Sequence, residues 1–242
     1  MRIARYLASA GLGSRRACET LVERGIVKVN GEVVTTPAIT VCPDADRVTV
    51  DGRPARPLEN VYLMLNKPAG YTCSSADAHA EHLYLELLPE RFGRLFSIGR
   101  LDRDSEGLLL VTNDGEFAQA LAHPSHEVTK RYRVCCRGQV DDAALLRMCR
   151  GIRDAGEMLR AERVRRLSSR GDRVELEFVL VEGRKREIRR LCARSGLRVT
   201  ELRRVAVGSV TLGGLAPGRW RHLREPEIGA LRAAAGVTGE KP

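Results

Sequence analysis

Four consecutive apolar residues, Leu108 to Val111, constrain this chain more than any other feature. A strand with one wet face alternates apolar and polar side chains. This run does not alternate, so it is too apolar for a surface strand, and the chain must build a core around it. Three acids, Asp102, Asp104 and Glu106, stand just before it in GRLDRDSEGLLLVTNDG (99–115), with Arg100 and Arg103 beside them. Carboxylates at the mouth of a core are costly unless paired or put to use.

The chain has 242 residues, 43% of them hydrophobic, enough for one large domain or a small domain and a medium one. Lys and Arg number 41 against 31 Asp and Glu, a net charge of +10. That excess favours a polyanionic partner, nucleic acid or an anionic membrane surface. No apolar run approaches the ~20 residues of a membrane span. The N-terminal apolar stretch is short and interrupted by Arg5, so it does not read as a secretory signal. Seven scattered cysteines without a C-x-x-C pair read as reduced thiols of a cytoplasmic protein, with no zinc site expected.

Residues 2–24 read as two short helices, the second capped by Ser14, with Arg15 and Arg16 at its start. IVKVNGEVV follows as a hairpin around Asn30-Gly31. Residues 53–60, with two prolines nearby and no periodicity, read as a linker. Beyond it, strands are expected at VYLMLNKP, LFSI, GLLLVTN, EVTKRYRVCC, RVELEFVL and RVTELRRVAVGSVTLG. Helices are expected at EHLYLELL (81–88), after Asp114, at DDAALLRMCRGI, at GRKREIRRLCARSG and at EPEIGALRAAAG. Strands in groups with interspersed helices indicate an α+β class around a mixed, mainly antiparallel sheet. The division is residues 1–52, a linker at 53–60, a larger domain at 61–235 and a flexible tail at 236–242.

Residues 184–204 hold nine basic residues and two acids. On a helical wheel Ile188, Leu191 and Cys192 form the buried stripe. Arg186, Arg190 and Arg194 lie opposite, facing water or phosphate, and Arg189 falls beside the stripe. Further arginines at 160, 163, 165, 166, 170 and 173 form a second basic stretch. With one Trp, five Tyr and four Phe, base-stacking platforms are scarce, so for a nucleic-acid partner backbone charge and shape should dominate recognition.

Together these residues resemble the RsuA/RluB-type ribosomal RNA pseudouridine synthases. GRLDRDSEGLLLVTNDG resembles the family's long signature. NKPAG (66–70), KRYRV (130–134) and EGRKREIRRL (182–191) resemble its first, tyrosine and arginine motifs, in order. The first 50 residues resemble the αL-type RNA-binding domain that commonly precedes this enzyme. Glu187 stands where many members have Gln, and with HPSHEV and GQVDD this is closer to the branch acting on large-subunit rRNA; small-subunit rRNA is the alternative target.

The resemblance implies that Asp102 is the catalytic aspartate. It would act as nucleophile at the sugar or the ring, or as base in an elimination route, while uracil is detached, turned and rejoined through carbon. It implies that Tyr132 stacks on the flipped uracil and that Arg189 pairs with Asp102 and keeps it ionised. Arg100 and Arg103 would hold phosphates, Leu202 would line the pocket, and Lys67 with Pro68 would shape the adjoining loop. Arg15, Arg16, Arg186, Arg190 and Arg194 are the expected RNA-binding residues. No cofactor and no metal are expected; the partner is ribosomal RNA or an assembly intermediate, not a membrane, and the protein is expected to be a monomer. Two rivals are a Mg²⁺-dependent nuclease using Asp102, Asp104 and Glu106, and a non-catalytic RNA-binding or ribosome-assembly protein. Gly107, read as a turn, and the lack of an accompanying histidine count against the first. The joint presence of Asp102, Tyr132 and Arg189 counts against the second.

Overall fold

The computed structural model describes residues 1–74, 77 and 79–236, and its internal contacts divide the chain into two units. Of the expected tail at 236–242, residues 237–242 lie outside the described residues. The first unit comprises Met1–Val61 and Glu90–Leu95. Helix α1 (Ile3–Ser9) buries Ile3, Ala4, Tyr6 and Leu7. Helix α2 (Arg15–Glu23) starts where Ser14 Oγ accepts the Ala17 N–H at 3.1 Å, a cap that satisfies an otherwise unpaired donor. Strands β1 (Val27–Val29) and β2 (Glu32–Val34) form the hairpin, with Asn30 and Gly31 both at positive φ as a tight turn requires. Strand β3 (Val48–Val50) pairs with β1, and β4 (Arg53–Pro54) pairs with β3.

Residues 53–60 are thus more than a linker. Besides β4, Ala55 is buried and its carbonyl accepts the Tyr6 hydroxyl at 3.0 Å, while the Leu58 N–H donates to Ser9 O. A buried phenol must find an acceptor, and this segment supplies it.

The second unit comprises Tyr62–Pro89 and the chain from Phe96 onward. Its strands are β5 (Tyr62–Lys67), β6 (Phe96–Ile98), β7 (Glu106–Thr112), β8 (Lys130–Arg137), β9 (Ile152–Asp154), β10 (Glu157–Leu159), β11 (Arg163–Arg170), β12 (Arg173–Leu180), β13 (Arg198–Val207), β14 (Val210–Thr211) and β15 (Trp220–His222). Its helices are α3 (Gly115–Ala122), α4 (Asp142–Arg150), α5 (Glu187–Arg194) and α6 (Glu225–Ala234). Residues 81–88 form only a short 3-10 turn, Tyr84–Leu87. Among the described residues one mixed sheet runs β11-β12-β8-β13-β7-β5-β15, with β14 on β13 and β6 on β7. The β13–β7 pair is parallel and the others are antiparallel. A separate hairpin, β9–β10, follows α4.

Strand β7 is buried on both sides, as its composition demands. Leu108 and Leu110 join Met64, Phe117, Leu121, Ile228 and Leu231 in one cluster under α3 and α6. Leu109 and Val111 take the opposite parity, beside Leu65 and Leu63, and all four are buried. Each such side chain contributes about 1.5–3 kcal/mol. Strand β8 alternates: Tyr132, Val134 and Cys136 are buried, while Arg131, Arg133 and Arg137 are exposed. Helix α5 packs on that buried face, bringing Cys192 Sγ to 3.9 Å from Cys136 Sγ. Gly107, expected in a turn, is the second residue of β7. At φ +106°, a Cβ here would lie 2.3 Å from Arg204 O, so only glycine lets β13 run alongside.

Candidate active site

Strand pairing sets five residues side by side across the sheet: Lys67 on β5, Gly107 on β7, Arg204 on β13, Tyr132 on β8 and Phe178 on β12. Asp102 lies in the connection from β6 to β7, where the Ser105 N–H donates to Asp102 O at 3.0 Å. Lys67 anchors this connection from below. Its side chain is fully buried, and Nζ donates to Ser105 O at 2.7 Å, Pro68 O at 2.9 Å and Arg103 O at 3.4 Å. An ammonium has three donors and no acceptor, so three carbonyls satisfy it. Burial pushes the Lys67 pKa below its ordinary value, against the raising influence of Cys73, Asp104, Asp102 and Glu106. Gly70 N–H to Arg103 O at 2.8 Å ties the NKPAG loop to the same connection.

Helix α5 brings the arginines. Its first cap, Arg186, adopts the left-handed region at φ 51° and ψ 33°, a conformation that costs a side-chain-bearing residue on the order of 1–3 kcal/mol. From there its guanidinium reaches Asp104 with two nitrogens, at 3.2 and 3.3 Å, and approaches Asp102 Oδ2 at 3.8 Å. Arg189 donates to Asp104 O and meets Asp104 Oδ2, both at 3.1 Å. The expected Arg189–Asp102 pair is therefore an Arg189–Asp104 pair here, and Arg186, expected to face away, is the cation beside Asp102. The left-handed turn at the cap swings Arg186 off the helical wheel, which places it wrongly. Burial opposes ionisation of Asp104, but the Arg186 hydrogen bond and the charges of Arg189 and Arg186 outweigh it and hold its carboxyl below the usual range. The Arg186 pKa rises, chiefly through its hydrogen bond to Asp104.

Asp102 differs from Asp104 in one respect that matters for chemistry. Half-buried, with a cation at 3.8 Å, its carboxylate accepts no hydrogen bond among the described residues, though its backbone carbonyl accepts the Ser105 N–H. Its lone pairs are unspent, whereas those of Asp104 are engaged. Glu106 has Arg203 Nε at 3.8 Å. Three acids matched by arginines form a poor cage for Mg²⁺, because the guanidinium groups already supply the positive charge. Tyr132 and Leu202 are buried, 7% and 6% exposed, on β8 and β13. Register sets Leu202 opposite Val134, on the same face as Tyr132.

Other expected positions fare differently. Arg100 is exposed, and so is Arg103, which donates to Gly70 O at 3.2 Å and pairs with Glu81 at 3.0 Å. Arg15 and Arg16 are exposed on α2. Arg190 does not face phosphate: it bonds Asp154 Oδ2 at 2.5 Å and Glu157 Oε2 at 2.6 Å, and only 20% of its side chain is exposed. Arg194 pairs with Asp154 Oδ1 at 2.6 Å. These acids come from the β9–β10 hairpin, which was not anticipated, and they consume the charge that the wheel assigned to RNA. Arg204 was also missed as a site residue. It is buried at 3% exposure, with Nε donating to Leu108 O at 2.7 Å and one terminal nitrogen unpartnered. Its position within an apolar strand, RRVAV, was the available signal.

The family model for RNA pseudouridylate synthases matches residues 61–194, and that for the S4 domain matches residues 1–46. An uncharacterized RNA pseudouridine synthase of Aquifex aeolicus is 39% identical over 98% of this chain and 96% of its own length. The ribosomal large subunit pseudouridine synthase B of Bacillus subtilis is 36% identical over 97% of this chain and 96% of its own. A crystal structure of a pseudouridylate synthase aligns with TM-score 0.67 and 27% identity, covering 96% of this chain and 99% of that one. Together with a carboxylate-bearing connection whose backbone carbonyls are held by a buried lysine, these likenesses mean that the chain belongs to the RNA pseudouridylate synthase family and carries an N-terminal S4 domain.

Proposed function

We propose that this protein isomerises uridine to pseudouridine in large-subunit ribosomal RNA, with Asp102 as the group that attacks or deprotonates the flipped nucleotide. The observation that carries the reading is the contrast between the two neighbouring aspartates. Asp104 is spent on Arg186 and Arg189, while Asp102 keeps a free carboxylate beside a cation. A nucleophile or base needs a carboxylate whose lone pairs are not already taken by partners. Tyr132 supplies the stacking surface and Leu202 part of the pocket wall; Arg186 and Arg189 hold the carboxylate pair. The reaction moves a base on its own sugar, with no net redox change, so these residues need no cofactor. The likeness to the Bacillus large-subunit enzyme supports the large-subunit substrate. The S4 domain supplies RNA affinity, and the protein acts as a monomer in the cytoplasm on rRNA or an assembly intermediate.

The test is isomerisation of separately supplied large- and small-subunit rRNA by the intact protein and by Asp102→Asn. Pseudouridine should form in large-subunit RNA only, and Asp102→Asn should retain RNA affinity within a few fold but lose turnover. Turnover above a few per cent in the Asn variant would remove Asp102 from the chemistry, and modification of small-subunit RNA alone would reassign the substrate.

A further inference from the structure

At the end of the sheet remote from the Lys67–Phe178 row, strand register sets four arginines in a line. Arg170 on β11 is opposite Arg173 on β12, Arg173 is opposite Arg137 on β8, and Arg137 is opposite Arg198 on β13. All four are exposed. Adjacent strands are about 4.8 Å apart, so the line spans about 14 Å. Like charges directly opposite one another destabilise a sheet. Elsewhere on the same face the chain avoids that cost. Glu177 lies within 3.5 Å of both Arg163 and Arg165, and Glu175 within 3.3 Å of Arg133. In the four-arginine line the sole acid partner among the described residues is Asp172, 3.6 Å from Arg137.

We infer that this line is a second RNA contact, which grips the phosphate backbone of the substrate RNA away from the catalytic carboxylate. The inference rests on the chain acting on rRNA. Four side-by-side guanidinium groups with one carboxylate among them carry a net charge of about +3, and phosphate oxygens accept paired N–H bonds from such groups. The arginines of α5 do not offer this. Arg190 and Arg194 are matched by Asp154 and Glu157, and Arg186 and Arg189 by Asp104 and Asp102. The four-arginine line, by contrast, keeps four exposed guanidinium groups against a single acid partner among the described residues.

The experiment measures binding of a large-subunit rRNA fragment to the full chain over a range of salt concentrations, with Arg173→Gln, Arg198→Gln and the double variant. Arg165→Gln, whose partner is Glu177, is the control. Each of the two line variants should weaken binding about 3- to 10-fold at low salt and lower the salt slope by about one, and the double variant by about two. Arg165→Gln should leave the slope unchanged. The thermal midpoint of the RNA-free protein should hold or rise in the line variants, because repulsion is relieved; this separates lost contacts from misfolding. Unchanged slopes in Arg173→Gln and Arg198→Gln would overturn the inference, including the case in which the line binds an acidic protein instead. Failure of the wild-type protein to bind any rRNA fragment would instead remove the rRNA reading on which the inference depends.

Discussion

Arg186, not Arg189, is the guanidinium nearest Asp102: its Nη1 lies 3.8 Å from Asp102 Oδ2 while both its terminal nitrogens grip Asp104. A lysine cannot reproduce that planar fork. Arg186→Lys should therefore lower single-turnover isomerisation by about 10-fold, equivalent to about 1.4 kcal/mol of transition-state stabilisation. Arg189→Lys should do the same through its bond to Asp104 O. A neutral Arg186→Lys variant, as the helical wheel alone suggests, would mean that the fork does not serve catalysis.

Lys67 is expected to act through position. Lys67→Met keeps most of the volume but takes the ammonium donor from three carbonyls around the Asp102 connection, of which Arg103 O keeps the Gly70 N–H. Stability should fall by about 1–3 kcal/mol. Turnover should fall more than 10-fold, with faster proteolysis of residues 99–105 as the sign that the connection has loosened. Loss of stability without loss of turnover would limit Lys67 to the core.

Gly107→Ala tests the strand crossing. The new Cβ would lie 2.3 Å from Arg204 O, which is backbone and cannot step aside, and φ is +106°. The expected loss is more than about 3 kcal/mol, read from denaturant midpoints, or failure to accumulate folded protein. A near-native midpoint would contradict the close parallel pairing of β7 and β13.

Arg190→Ala distinguishes a structural arginine from an RNA-binding one. It leaves Asp154 and Glu157 with less compensation at the hairpin–helix junction. Stability should fall by about 1–3 kcal/mol while the salt slope of RNA binding stays the same. A lower slope with unchanged stability would return Arg190 to the RNA-facing surface.

Glu187 is buried at 3% exposure with Oε1 unpartnered, and burial pushes its carboxyl pKa up. A carboxyl raised in the folded state binds more protons folded than unfolded, so its presence lowers stability as pH climbs above the ordinary value of 4.5. Glu187→Gln removes that decline. The Gln variant should be more stable than the wild type at neutral pH by about 1 kcal/mol, with the advantage vanishing near pH 4. A wild-type protein as stable as the variant at neutral pH would show the carboxylate to be compensated.

Much of the local structure was legible in residue order. The run Leu108–Val111 required cover on both faces, the alternation through Tyr132 and Val134 named the inward face of β8, and Ser14, Asp114 and Asp141 marked helix starts that their side chains do cap. These are short-range properties: a period, or a side chain reaching its own backbone two or three residues on. The residues proposed for the chemistry, Asp102, Tyr132 and Arg189, came from motifs, which are local too. Which arginine meets which carboxylate was decided only by the fold. Arg186 reaches Asp104 across 82 residues of chain, Arg190 reaches Asp154 across 36, and Lys67 reaches Ser105 across 38. A wheel gives the direction of a side chain but not the element that comes to meet it. The line of four arginines has the same origin. Arg170, Arg173 and Arg198 lie in basic stretches of the sequence and Arg137 does not, but only long-range strand register, set by burial of the alternate residues, brings the four side by side.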